Sequence, residues 1–145
     1  MKLLIQRVLK ASVEVEGSIV GAIEQGLLVF VGITHTDTPA QAEWLANKLV
    51  HLRLFEDTEQ KLNRSLLDQK GSVLIISQFT LYADCSEGRR PSFTKAAPPE
   101  MAKLVYERFI QEVENLGVLV EKGIFGAYMR VSLINDGPIT IILER

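Results

Sequence analysis

The chain has 145 residues, 47% of them hydrophobic and 23% charged, with a formal net charge of −2. That length and apolar content fit one compact domain, residues 1–145, able to bury roughly two-thirds of the surface its unfolded chain exposes. A near-neutral balance without a basic stripe excludes a protein that wraps duplex DNA or tracks a long single strand, so any nucleic-acid contact has to be local.

The elements begin with strands. LLIQRVL is followed by SVEVEG and SIVGAI, whose alternation about Glu16-Gly17-Ser18 predicts a hairpin, and then by the apolar run LLVFVGI after Gln25-Gly26. A run without polar positions predicts burial on both faces. The start, MKLLIQRVLKASVEVEG, is too charged and too alternating for a signal peptide, and no stretch approaches the ~20 apolar residues of a membrane span. Thr38-Pro39 opens a helix with a capping hydroxyl before proline, and Ala42, Leu45, Leu49 and Leu52 recur on one face; Trp44 reads as packing. FEDTEQKLNRSLLDQKG is loop-rich, and VLIISQFTLYA reads as another buried strand. A second helix spans about Pro99 to Leu116, with Leu104, Val105, Phe109, Val113 and Leu116 on one face and Gly117 as its stop. Strands around VLVEKGIF, YMRVSLI and ITIILE complete a mixed α/β fold, a mostly antiparallel, barrel-like sheet with two principal helices.

Cys85 is the only cysteine, which excludes an intramolecular disulfide and suits a reducing compartment, the cytoplasm. One thiol and two scattered histidines make no metal-ligand spacing, so no structural metal is expected. There is no G-x-S-x-G elbow, and His35 and His51 fall in loop and helix contexts. Neither GxxxxGK nor a strand followed by GxGxxG is present, which removes the nucleotide-driven classes.

Three stretches remain as candidates for chemistry. In SQFTLYA, an extended chain puts Ser77, Phe79 and Leu81 on one face and Gln78, Thr80 and Tyr82 on the other. An amide, a hydroxyl and a phenol together either line a polar cleft or satisfy one another. Thr80 has no base in its sequence neighbourhood, so it is a poor nucleophile but is able to orient a substrate or water. SEGRRPSFTK holds the densest basic cluster, Arg89, Arg90 and Lys95, and is either a solvated surface or a set of local phosphate contacts. In INDGPIT, Asn-Asp-Gly alone is an ordinary turn, but the proline that follows cannot donate a ladder hydrogen bond. The Gly-Pro pair either punctuates a turn or is displayed for use.

SQFTLYAD at 77–84, GRRPSF at 88–93, AAPP at 96–99 and NDGPIT at 135–140, in one order over the whole chain, resemble the D-aminoacyl-tRNA deacylases. The resemblance implies hydrolysis of the ester between a D-amino acid, or mischarged glycine, and the terminal adenosine of tRNA, without a cofactor. It also implies a homodimer in which Gly137-Pro138, joined by a cis bond, enters the partner's active site and excludes L-amino acids. By the same resemblance Thr80 orients or stabilises the transition state, and Ser77, Gln78 and Phe79 contact substrate and adenosine. By that resemblance too, Met129 joins Phe79 in the adenosine pocket and Arg7 supports the Gly-Pro loop; a protein gripping mainly a 3′ end needs few phosphate contacts, which Arg89, Arg90 and Lys95 are able to supply without a basic stripe. Two rivals stay open: a non-catalytic module for RNA ends or proteins, and a hydrolase of simple D-amino-acid esters.

Overall fold

Two residues with positive φ, Glu16 at 51° and Gly17 at 81°, turn the chain between β1 (Lys2–Val15) and β2 (Ser18–Ile23). This is the conformation that a two-residue hairpin turn requires. LLIQRVL and SVEVEG are therefore one continuous strand. The first part of β1 pairs antiparallel with β3 (Gly26–Gly32), from Lys2↔Gly32 to Val8↔Gly26, and its last residues pair with β2. All of β3 except Phe30 is buried, as its apolar run requires. The structure, a computed structural model, describes residues 1–145.

α1 (Pro39–His51) starts where Thr38 N–H donates to Gln41 Oε1 at 2.9 Å. The stretch that reads as loop-rich contains a small hairpin, β4 (Phe55–Glu56) with β5 (Leu62–Arg64), and one helical turn, α2 (Leu66–Gln69). β6 (Ser72–Ser77) lies parallel to β3, and β7 (Leu119–Lys122) lies parallel to β6. Between them runs α3 (Pro99–Asn115), stopped near Gly117, whose φ is +86°. β8 (Arg130–Glu144) runs antiparallel along the other side of β1. The result is a mixed, barrel-like sheet with both long helices on one face.

The helices and the sheet share one core in which Leu45, Leu49, Val105, Phe109 and Val113 meet Leu27, Val29, Val73 and Ile75. Truncating Phe109, fully buried there, to alanine costs about 3–5 kcal/mol. Tyr106 Oη donates to Ile75 O at 3.0 Å, and burial pushes its phenol above the ordinary range. A smaller cluster, Val8, Val13, Leu28, Leu74 and Ile76, fills the opposite face and is closed by Met129, Val131 and Leu133.

Four expectations need correction. SQFTLYA is not strand: β6 ends at Ser77 and Phe79–Tyr82 is a 3-10 turn, so the alternating-face argument does not apply to it. INDGPIT is not a turn between two strands but a bulge within β8. Leu104 lies off the buried face of α3, 70% exposed, because Val105, Phe109 and Val113 already fill the groove. Trp44 is outside the core, on the surface beneath the Arg145 guanidinium, 4.9 Å from its ring centre.

Candidate functional site

The end of β6 is shaped by the glycine that closes β3. Gln78 N–H still donates to Val31 O at 2.8 Å, after which Leu81 N–H turns back to Gln78 O at 3.2 Å. A Cβ on Gly32 would lie 2.9 Å from Leu81 Cβ and 3.3 Å from Gln78 O, so only glycine lets the 3-10 turn fold against the strand. In such a turn the N–H groups of Phe79 and Thr80 come before the first intraturn bond and are free to point outward.

The side chains of this turn border two clefts. Gln78 Nε2 donates to Thr80 Oγ1. Phe79, 55% exposed, meets Phe93 edge-on with ring centres 5.1 Å apart. A cleft of about 460 Å³ is walled by Phe79, Phe93, Ala96 to Pro99 and Phe125. A second, of about 220 Å³, is walled by Ser77, Gln78, Phe79, Tyr128, Met129 and Val131. Ser77, Phe79 and Gly126 border both. The AAPP wall is held from behind: Ala97 N–H donates to Ile33 O at 2.9 Å, and Thr34 Oγ1 donates to Lys95 O at 2.6 Å.

Neither histidine serves this end. His35 Nε2 lies 2.8 Å from Thr94 O, and His51 Nδ1 lies 2.8 Å from Asn47 O within its own helix. Thr80 has no carboxylate or imidazole partner and stands outside the lining of both clefts. No group of three or more His, Cys, Asp or Glu side chains is arranged to hold a metal. Tyr82 Oη is buried without a partner, and burial, reinforced by the charges of Asp37 and Glu144, pushes its phenol above the ordinary range. Arg89 and Arg90 are exposed, whereas Lys95 Nζ sits 2.7 Å from Asp84 Oδ2. That contact, with hydrogen bonds from Ser86, holds the Asp84 carboxyl well below the usual carboxylate range.

The Gly-Pro pair is built differently. β8 pairs Asn135 with Val8 and Thr140 with Gln6, so residues 136–139 all stand opposite Arg7 and are pushed out of the ladder. Asn135 Nδ2 closes the neck of this bulge by donating to Arg7 O and Ile139 O, both at 3.0 Å. Gln6 Nε2 donates to Thr140 Oγ1 at 3.1 Å. The Gly137-Pro138 bond is cis, and Gly137 has φ +112°, a conformation that side chains oppose. Arg7 is only 5% exposed, and its Nη1 donates to Leu54 O at 2.8 Å. Its Nε lies 2.9 Å from Asp136 Oδ2, off the N–H axis, which makes this a charge contact more than an aligned hydrogen bond. A Cβ on Gly137 would come within 3.0 Å of Arg7 Nη2.

One cleft thus gathers Ser77, Gln78, Phe79 and Met129, with Thr80 outside its lining but bonded to Gln78. Arg7, Gly137 and Pro138 are elsewhere: from Val131, at the cleft, β8 runs six residues to Gly137, roughly 20 Å of extended chain. Sequence reasoning passed over Phe125 and Tyr128 in the walls, and Asn135 and Asp136 as the clamp of the bulge. The latter two lie inside NDGPIT, and their short amide and carboxylate were the available signal.

A family model described as D-Tyr-tRNA(Tyr) deacylase matches residues 4–144. The chain is 56% identical to the D-aminoacyl-tRNA deacylase of Thermomicrobium roseum over 99% of its own length and 94% of that protein's. It is 53% identical to that of Exiguobacterium sibiricum over 100% of both. A solved structure titled "c-Myc DNA Unwinding Element Binding Protein" superposes with a TM-score of 0.94 at 40% identity, covering 100% of this chain and 99% of that one. A probable eukaryotic D-amino acid tRNA deacylase superposes with a TM-score of 0.83 at 17% identity over 98% and 97% of the two chains, a likeness of fold.

Proposed function

The chain belongs to the D-Tyr-tRNA(Tyr) deacylase family and has its D-aminoacyl-tRNA deacylase activity, and we propose that it works as a homodimer whose Gly137-Pro138 bulge is the chiral filter of the partner's cleft. One observation carries this reading. The bulge projects from the sheet, yet along β8 it is six residues away from the cleft of its own chain. A second copy supplies what the first cannot reach, and two-fold symmetry makes the exchange reciprocal.

The filter follows from stereochemistry. D- and L-amino acids differ only in where the side chain and hydrogen sit on Cα. A site indifferent to side-chain type therefore fixes the amino group and carbonyl and blocks one direction. Main-chain atoms held by Arg7 and Asn135 do this better than a side chain able to rotate away. Glycine, with no side chain to block, passes and is hydrolysed from mischarged tRNA.

The chemistry asks little of the protein, because an aminoacyl ester is already activated. The N–H groups of Phe79 and Thr80 receive the developing oxyanion, each such donor being worth about 3–4 kcal/mol. Gln78 and Thr80 orient the ester and a water, and the ribose hydroxyl beside the ester assists. Ser77 and Phe79 position the substrate, and Met129 and Phe79 enclose the terminal adenosine. Arg7 supports the loop. Arg89 and Arg90 meet the few phosphates near the 3′ end while Lys95 is held by Asp84, so salt weakens binding only shallowly. The setting is translation quality control in the cytoplasm. No helix is long and apolar enough to cross a membrane.

The direct test incubates the protein with D-Tyr-tRNA, L-Tyr-tRNA, Gly-tRNA and a simple D-Tyr ester. Rapid release is expected from the first and third; equal cleavage of both enantiomers removes the filter, and equal cleavage of the simple ester removes tRNA as substrate. The cross-subunit arrangement is tested by mixing Gly137→Ala chains with Gly32→Ala chains. If each variant alone is inactive, a random mixture regains about a quarter of native activity when the loop acts in trans, and none when it acts in cis.

A further inference from the structure

Tyr128 is 84% exposed, the most open of the large hydrophobic side chains. Its ring pairs with no other aromatic, the two ring pairs being Phe79 with Phe93 and Tyr106 with Phe125. Burying an aromatic side chain removes 150–250 Å² from water, so a ring left standing in solvent at the mouth of a site is a favourable landing surface for a flat ligand.

Its position gives the surface a direction. With Ala127, Tyr128 lines the cleft of Ser77, Gln78, Phe79 and Met129. The same two residues also line a further cleft, of about 440 Å³, whose other walls are Glu14 to Gly17 and Arg130. The two clefts share Ala127 and Tyr128 as a common wall, so they lie side by side at this ring. The charge of the second cleft decides what part of a nucleotide it accepts. Glu14 and Glu16 outnumber Arg130, which is itself tied to Glu14 Oε1 at 3.2 Å. A net negative cleft repels phosphate and leaves the aromatic face as its attractive element.

We infer that Tyr128 is a stacking platform for the base of the nucleotide that precedes the terminal adenosine, received in the cleft between the β1–β2 turn and Arg130. This rests on the reading that the first cleft holds the terminal adenosine. Bases of a single-stranded end are unstacked and available to an aromatic ring, and stacking tolerates any base. The consequence is a protein that distinguishes a tRNA end from an isolated aminoacyl-adenosine without a basic track.

The experiment compares native protein, Tyr128→Ala and Tyr128→Phe on D-Tyr-tRNA and on D-Tyr esterified to adenosine alone. Tyr128→Ala is expected to raise KM for D-Tyr-tRNA on the order of tenfold, a clearly larger rise than on D-Tyr-adenosine, whose cleft the ring also borders, with the salt dependence of the native protein. Tyr128→Phe, which keeps the ring, stays near native on both substrates. Equal loss on both substrates would assign Tyr128 to the adenosine cleft, and no loss on either would leave it idle; each overturns the inference. So does a loss in Tyr128→Ala that sedimentation shows to accompany dissociation of the dimer, because the ring is then a subunit contact. Native protein that cleaves neither substrate removes the deacylase reading itself, and this inference with it.

Discussion

The two ends of the site region are built by opposite rules. At the end of β6, the 3-10 turn exposes Phe79 and Thr80 and has two side-chain hydrogen bonds, from Gln78 to Thr80 and a long one of 3.5 Å from Lys2 Nζ to Leu81 O. At the bulge of β8, a buried guanidinium touches Leu54, Glu56 and Asp136, and Asn135 bonds to both sides of the neck. The first end is open and completed by what binds. The second is complete before anything binds, as the proposed insertion into a partner chain requires.

Removing the clamp is the most damaging test of this contrast. In Arg7→Ala, Leu54 O loses its donor and Asp136 its countercharge. The expected cost is about 2–4 kcal/mol by thermal or denaturant unfolding, below the full penalty of a buried pair because Asp136 and Glu56 reach solvent. Arg7→Lys recovers one contact at most. If chiral discrimination survives in a folded Arg7→Ala protein, the bulge holds itself and the contrast is lost.

Gly137→Ala comes next. The new Cβ meets Arg7 Nη2 and Ile139 Cγ1, each at 3.0 Å, at a φ of +112°. Strain of about 1–3 kcal/mol is expected, with deacylation falling far more than stability. A comparable fall in both would mean that the bulge serves the fold alone.

At the open end the equivalent change is Gly32→Ala. Its Cβ lies 2.9 Å from Leu81 Cβ, and relief comes from moving the 3-10 turn outward. About 1–2 kcal/mol of stability should go, along with most of the activity. Gly26, at the other end of β3, offers no such relief, since a Cβ there would meet Ser72 O at 1.9 Å. Unfolding curves of the two alanine variants should therefore separate widely, with Gly26→Ala the less stable.

The same contrast explains what could be read from the residues alone. The hairpin at Glu16-Gly17, the buried run of β3, the Thr38-Pro39 helix start and the Gly117 stop depend on local chemistry, and they stand where the pattern puts them. SQFTLYA reads as strand because its composition is that of a strand; the 3-10 turn that starts at Phe79 is decided by Gly32, 47 positions earlier. INDGPIT reads as a turn because nothing within it reveals that its two flanks pair with one strand around Arg7. Motif resemblance singled out both stretches, and only tertiary contacts separate cleft from bulge.

The smallest effects concern the basic loop, where the structure divides three cations that composition treats alike. Lys95 is neutralised by Asp84, while Arg89 and Arg90 stand free in solvent. The folded carboxyl of Asp84 is depressed. Its contribution to stability is therefore present above the unfolded value, about 3.9, and fades as pH falls through the folded one. Near neutral pH the Asp84 carboxylate stays ionised. NMR titration of Lys95→Met should move the Asp84 carboxyl back up, with little change in the salt dependence of tRNA binding, because the lysine charge was already spent on Asp84. Arg89→Gln and Arg90→Gln should each lower the slope of log affinity against log salt by about 0.7. If Lys95→Met lowers it as much, the lysine leaves Asp84 for phosphate when tRNA binds, and the loop is a flexible electrostatic arm, closer in kind to the cleft than to the clamped bulge.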